Sequence, residues 1–296
     1  MKLLKASLLY IFFITFQIKS QNINLEITEN VTTPYLIGKI DKSGLESRSY
    51  KSWFATNYEA YKTDGKLIKA ISPELKEYKI SLFMGTWCGD SKKEVPRLYK
   101  VLEASNFPME QLSVIAVSGE ASLYKQSPQH EEKGLNIHRV PTVIFYKNGK
   151  EVNRIVEHPI SSFEKDIFNI ITKNDYKSNY QIVTTIHRIL KTKGVQGLKN
   201  KEKMILNAFN GKVSSMYELN TYGRVLFSSN QKEQAIAVFE LNTKLFSDQP
   251  RTYMSLANTL GAMGYKNKAV KVLEDAIILH QNNTDLKDNL IVIKTN

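Results

Sequence analysis

The sequence predicts an α/β domain with a mixed sheet flanked by helices, followed by an all-α domain of helical repeats. Three observations predict this. A short apolar run, Ile80 to Met84, enters a helix-patterned segment through Trp87-Cys88-Gly89-Asp90-Ser91. Two apolar runs, Val143 to Tyr146 and Val152 to Val156, flank Lys147-Asn148-Gly149-Lys150, and Asn-Gly between such runs is the strongest short hairpin signal. Beyond residue 180, apolar and small residues recur at a spacing of 34.

The chain has 296 residues, enough for two domains with sizeable cores. Its hydrophobic fraction of 42% is that of a globular protein rather than a disordered one. The net charge is +12, but the lysines are scattered and form no dense basic tract. That pattern reads as a solvated surface, and without zinc-finger spacing it does not support nucleic-acid recognition.

Residues 1–20 read as a secretory signal. Lys2 and Lys5 form a basic start, and Leu8 to Phe16 is apolar but too short to span a bilayer comfortably. Ser20 offers a small residue before a cut, so Gln21 is the expected mature start. An uncleaved anchor is the other reading of this segment. No cysteine lies near the cut to carry a lipid. Losing the leader removes three lysines and leaves +9 of the +12. The expected location is therefore exported, periplasmic or secreted, with no stable membrane anchor. An oxidising compartment permits disulfides, yet a single cysteine makes no internal one, so the fold stands on its cores and Cys88 is an odd thiol.

Element by element, Ile23 to Ile27 and Tyr35 to Ile40 are β-prone, and the second has the make-up of an added sheet strand. Tyr50, Trp53, Phe54, Tyr58 and Tyr61 fall at helical spacing, a stripe expected to pack on the sheet. Leu67, Ile68 and Ile71 predict a helix ending at Ser72-Pro73. Ile80 to Met84 reads as a buried strand. Val95, Leu98, Val101 and Leu102 mark the following helix, and Leu112 to Val117 another buried strand. Two strands separated by a helix imply a right-handed crossover and a parallel pair. Residues 118–133 are polar. After the hairpin, Phe163, Ile167, Ile170 and Ile171 mark a closing helix. Residues 173–181 read as a junction, giving domains of 21–173 and 180–296.

The chemistry centres on Cys88, the only strong nucleophile. It sits where a strand turns into a helix, and the free N–H groups and dipole of a helix start favour an anion, hence a thiolate. Lys92 and Lys93 push the same way and Asp90 the opposite way. The five histidines show no metal-ligand spacing with one another or with Cys88, so no metal or other cofactor is expected. His138 lies near Pro141 and reads as a surface residue, with a thiolate sensor as the other reading.

A strand followed by Trp-Cys-x-x-Cys at a helix start is the thioredoxin active-site motif, and Trp87-Cys88-Gly89-Asp90-Ser91 resembles it with serine in place of the second cysteine. Pro96 stands where thioredoxins carry a helix proline, and Val140-Pro141-Thr142 is similar to their cis-proline strand. The resemblance covers roughly 75–172, with the longer gap between Pro96 and Pro141 pointing to an insertion near 118–133. It implies thiolate attack by Cys88 on a disulfide, with Ser91 donating to the thiolate but unable to resolve the mixed disulfide. A second thiol must come from a client protein or peptide, from glutathione or from another protein. Trp87 would shield the thiol and contact clients. Val140, before a cis Pro141, would pair its backbone with an extended peptide. Thioredoxins often carry a buried acid where this chain has Leu82.

In the second half, Leu219, Tyr222, Gly223, Leu226, Ala235, Phe239 and Leu245 return as Tyr253, Leu256, Ala257, Leu260, Ala269, Leu273 and Leu279. Asn230 returns as Gly264 at a turn. This resembles the tetratricopeptide repeat, closely over about 214–282 and loosely over 180–296. Ile182, Ile186, Ile189, Leu190, Met204, Ile205 and Phe209 suggest a degenerate first pair, and Leu286, Leu290 and Ile293 a capping helix. Such repeats make a surface for a protein partner or a scaffold. Two functions follow: a monothiol thiol–disulfide oxidoreductase, or a non-enzymatic module that binds peptides.

Overall fold

A computed structural model describes residues 23–29, 31–173 and 176–295 of the protein. The leader expected over residues 1–20 lies outside the described residues.

Six strands form one mixed sheet: β1 (Leu25–Ile27), β2 (Tyr35–Ile40), β3 (Lys79–Met84), β4 (Leu112–Ala116), β5 (Thr142–Lys147) and β6 (Lys150–Val156), in the order β1-β2-β4-β3-β5-β6. The pair β3/β4 is parallel, with Leu82 opposite Val114. The other pairings are antiparallel. Tyr35 to Ile40 therefore does add a strand, against β4. The β5–β6 turn places Asn148 and Gly149 at φ +52° and +75°, the left-handed pair that suits the twist of a two-residue hairpin.

The sheet's period of two sorts its side chains. Ile80, Leu82 and Met84 of β3, Val114 and Ala116 of β4, and Val143 and Phe145 of β5 enter one core. Phe83, Ile115 and Ile144, the residues between them, enter a second apolar cluster that also holds Val117, Ile137 and Val140. Burying each large side chain contributes about 1.5–3 kcal/mol.

Helices α1 (Lys42–Leu45), α2 (Lys51–Ala60), α3 (Gly65–Leu75), α4 (Gly89–Ala104) and α5 (Phe163–Phe168) belong to this half. The aromatic stripe packs as its spacing predicts: Tyr50 and Phe54 are buried, with Trp53, Tyr58 and Tyr61 against the same core. Helix α3 starts on an Asp64 cap, whose carboxylate accepts from the Lys66 and Leu67 N–H groups. It does not end at Ser72-Pro73 but runs through to Leu75. Pro73 falls in the last turn, where it withholds the N–H that would otherwise meet the Lys69 carbonyl. Burial of Leu75 holds that turn in place, and the Ser72 hydroxyl donates to the Ile68 carbonyl at 2.7 Å.

From residue 181 on, the described residues are helical: α6 (Gln181–Phe209), α7 (Tyr217–Ser228), α8 (Lys232–Leu245), α9 (Pro250–Ala262), α10 (Lys266–Leu279) and α11 (Thr284–Thr295). They share a separate core drawn from residues 182–293. Gly194, at φ +62° and ψ −168°, breaks α6 into two segments in a conformation nearly closed to other residues. Ile182, Ile186, Leu190 and Ile205 are buried, but Met204 is 48% exposed and is not the core residue its neighbours suggest. The 34-residue spacing is mirrored in shape: α8 and α10 start 34 positions apart, and Asn230 and Gly264 before them both take left-handed φ, +60° and +79°. The small residues permit close approach. A Cβ on Gly223 would lie 2.6 Å from the Phe239 ring.

Candidate functional site

Strand β3 ends at Met84, and a tight turn follows in which the Cys88 N–H donates to the Gly85 carbonyl at 2.9 Å. Cys88 is the residue that caps α4, in extended backbone (φ −88°, ψ +128°), and its side chain caps no N–H of that helix. The thiol is half-buried and unpaired. Its Sγ–H points to the Val140 carbonyl, with an S···O distance of 3.3 Å. The Val140–Pro141 peptide bond is cis. The fold thus brings together Cys88, Trp87, Val140 and Pro141, four of the five residues named from the sequence.

Ser91 sits one helical turn along, fully buried, and its hydroxyl accepts from the Gly85 N–H at 3.2 Å. The bond found for it is therefore with the turn before the cysteine and not with the thiol. Trp87 is held by its indole N–H, which donates to the Val117 carbonyl at 2.8 Å. Its ring lies over Gly85 and Gly119, where a Cβ would come within 2.5 and 2.9 Å. Val140 is almost wholly buried, and its carbonyl is the thiol's acceptor. A client strand pairing there would have to displace that bond.

Beside Trp87 stands a wall of residues that the polar segment hides. Tyr124 and Lys125 stand beside Trp87: the two rings are 6.4 Å apart, and the Lys125 Nζ is 5.2 Å from the indole. Burial raises the Tyr124 hydroxyl above its ordinary range. Burial also lowers the Lys125 ammonium to about 7, an effect that the Cys88 charge opposes. Next to Pro141, Arg139 pairs with Glu157 at 3.0 Å and lies over the Tyr180 ring at 4.8 Å. Tyr180 donates to the other Glu157 oxygen. Burial pushes the Glu157 carboxyl up, with Arg139 opposing. Of the two lysines expected to favour a thiolate, Lys93 is taken by Glu94 at 3.3 Å.

The helical half reaches this wall. Arg224 of α7 lies 4.3 Å over the Tyr124 ring, and the Gln126 amide donates to the Ser228 carbonyl at 2.9 Å. His138 is not a surface residue: it is 2% exposed, edge-on to Tyr180 and Tyr222 at 5.7 and 6.0 Å. The residue that covers it from the other half, Tyr222, is 84 positions away, which no local pattern reveals. Burial pushes its ring down to about 3, so it is neutral. A cavity of about 550 Å³ opens at this junction, lined by Asn136, His138, Arg154, Tyr176 and His187, and does not include Cys88.

Among the described residues, no group of three or more His, Cys, Asp or Glu is arranged to hold a metal ion. Among them, no helix is long and apolar enough to cross a membrane. The fold and site define an α/β sheet protein with a half-buried thiol at a helix start, joined to an all-helical segment. The chain matches no protein-family model and no curated protein.

Proposed function

We propose that this is an exported thioredoxin-like protein that carries out thiol–disulfide exchange through one cysteine, Cys88. The observation that carries the reading is the half-buried Cys88 thiol at the start of α4, bonded to the Val140 carbonyl beside a cis Pro141. In the proposed step the Cys88 thiolate attacks one sulfur of a client disulfide. A Cys88–S–S–client bond forms, the client's S–S bond breaks, and the departing sulfur leaves as a thiolate that takes a proton. With serine at position 91, a second thiol from outside completes the exchange by attacking the mixed disulfide. This suits isomerisation of client disulfides or removal of small-thiol caps. Export follows from the make-up of residues 1–20, and the helical segment resembles tetratricopeptide repeats that recruit the client or the resolving partner.

The test is turnover of a glutathione-capped peptide by wild type and Cys88→Ser, with trapping of disulfide-linked partners under non-reducing conditions. Turnover lost in Cys88→Ser, with a client trapped on Cys88, supports the reading. Equal turnover and no trapped partner overturn it in favour of a peptide-binding module.

A further inference from the structure

The cavity of about 550 Å³ at the junction of the halves is unbalanced in charge. Glu151 and Arg154 line it from β6, Lys177 from the segment after the sheet, and Arg188 and Lys191 from α6. Glu151 and Arg154 satisfy each other. The guanidinium donates from Nε and Nη2 to the two carboxylate oxygens at 2.6 and 2.7 Å, and from Nη1 to the Leu135 carbonyl at 2.6 Å. Lys177, Arg188 and Lys191 make no ion pair with any described residue. Among the described residues, these cations line a space that has no free acid of its own.

The same cavity is lined by two residues that carry unmet acceptors. Asn136 Oδ1 and His138 Nε2 are buried and have no hydrogen-bond partner among the described residues. His138 is 2% exposed, and its Nδ1 lies 3.2 Å from the Asn136 carbonyl. A carbonyl only accepts, so Nδ1 carries the proton and Nε2 presents a bare lone pair. The neighbouring hydroxyls are engaged elsewhere: Tyr180 donates to Glu157, and Tyr222 is bonded to His187 Nδ1 at 3.1 Å. Buried polar groups are nearly always partnered, so two orphans at one cavity call for a donor from outside.

The two demands differ in kind. The cations call for a carboxylate or phosphate, which only accepts. The orphan acceptors call for a group that gives a proton to a hydrogen bond, as a hydroxyl does. The volume lies within the roughly 300–1,000 Å³ of small-molecule sites. We propose that this cavity binds a small hydroxylated organic anion, a sugar phosphate or sugar acid. Lys177, Arg188 and Lys191 hold its acid group, and Asn136 and His138 accept from its hydroxyls. Such a ligand touches β6 and α6 at once and fastens the two halves together. Cys88 does not line the cavity, so the proposal stands apart from the exchange reading.

The experiment is isothermal titration of the full chain at low ionic strength with glucose-6-phosphate, gluconate, inorganic phosphate and glucose. At least one of the two sugar anions is expected to bind about tenfold more tightly than phosphate or glucose, since only they combine charge with hydroxyls. The comparison of glucose-6-phosphate with gluconate tells which acid group the site takes. Arg188→Ala combined with Lys191→Ala is expected to weaken the tighter ligand by about tenfold. Both side chains are exposed, so their loss spares the cores. Lys199→Ala combined with Lys203→Ala removes the same charge from α6 outside the cavity, and is expected to change affinity by less than about twofold. Three results overturn the proposal: no binding of either sugar anion, phosphate bound as tightly as the better one, or equal losses in the two double variants. Tighter binding of polyglutamate than of either sugar anion also overturns it, and assigns the cations to an acidic protein surface.

Discussion

Arg139 joins Glu157 through one guanidinium nitrogen and the Tyr217 backbone carbonyl through another, each at 3.0 Å. One side chain beside the cis-proline turn thereby ties the sheet to the start of α7. Arg139→Ala is expected to cost about 3 kcal/mol, because Glu157 loses its cation in a site largely shut from water. Arg139→Lys should not restore it, as one ammonium does not serve two diverging acceptors. Both tryptophans, Trp53 and Trp87, belong to the sheet half. Urea unfolding followed by their fluorescence and by far-UV circular dichroism should coincide in wild type and separate in Arg139→Ala. Coincident curves in the variant would show that this tie is not what couples the halves.

Ser91→Ala is expected to weaken folding and leave the thiol's reactivity alone. The hydroxyl accepts from the buried Gly85 N–H. Removing it strands that donor at a cost of about 1–3 kcal/mol. Denaturant unfolding should register the loss while the rate of Cys88 alkylation at neutral pH stays at the wild-type value. A large drop in that rate would place the hydroxyl on the thiolate instead.

Gly85→Ala should dislodge Trp87. The added Cβ would lie 2.5 Å from the indole, and the ring is pinned by its bond to the Val117 carbonyl. Overpacking of this kind costs about 1–3 kcal/mol. In a Trp53→Phe background, the remaining fluorescence is expected to shift to the red as Trp87 meets water. An unchanged spectrum would mean that the turn absorbs the methyl group.

Acid should loosen the junction between the halves. Burial lowers His138 to about 3 and His187 to about 4. The unfolded chain protonates both near pH 6.5, whereas the folded protein resists until those lower values. In that window the unfolded state binds more protons, so stability falls as the pH drops. Between pH 7 and 4 the His138 share is about 3 kcal/mol. His138→Phe, which keeps a ring between Tyr180 and Tyr222 and takes no proton, should flatten the dependence of the urea midpoint on pH. A slope as steep as that of wild type would assign the effect to other groups.

Local patterns carried most of the architecture. The β5–β6 turn, the aromatic stripe of α2 and the left-handed Asn230 and Gly264 are each specified by residues within one or two turns, so they can be read along the chain. So was the pairing of Cys88 with the Pro141 turn, although there the warrant was a motif rather than a periodicity. What escaped depends on distant contacts. Lys125 lies in a polar segment that looks like solvated insertion, and only the clamp of α7 and the proximity of Trp87 bury it. His138 reads as a surface residue because its cover, Tyr222, comes from another part of the chain. Ser91 escapes for a subtler reason: spacing brings it near Cys88, but the bond its hydroxyl makes is with the Gly85 N–H.

The clamp of α7 on residues 124–126 has a consequence for dissecting this protein. A fragment ending near residue 175 would keep every strand of the sheet, yet it would uncap the Tyr124 ring, set Gln126 loose and wet His138. Such a truncated piece is a poor stand-in for its parent, since the wall beside Trp87 would come apart while the scaffold beneath it persisted.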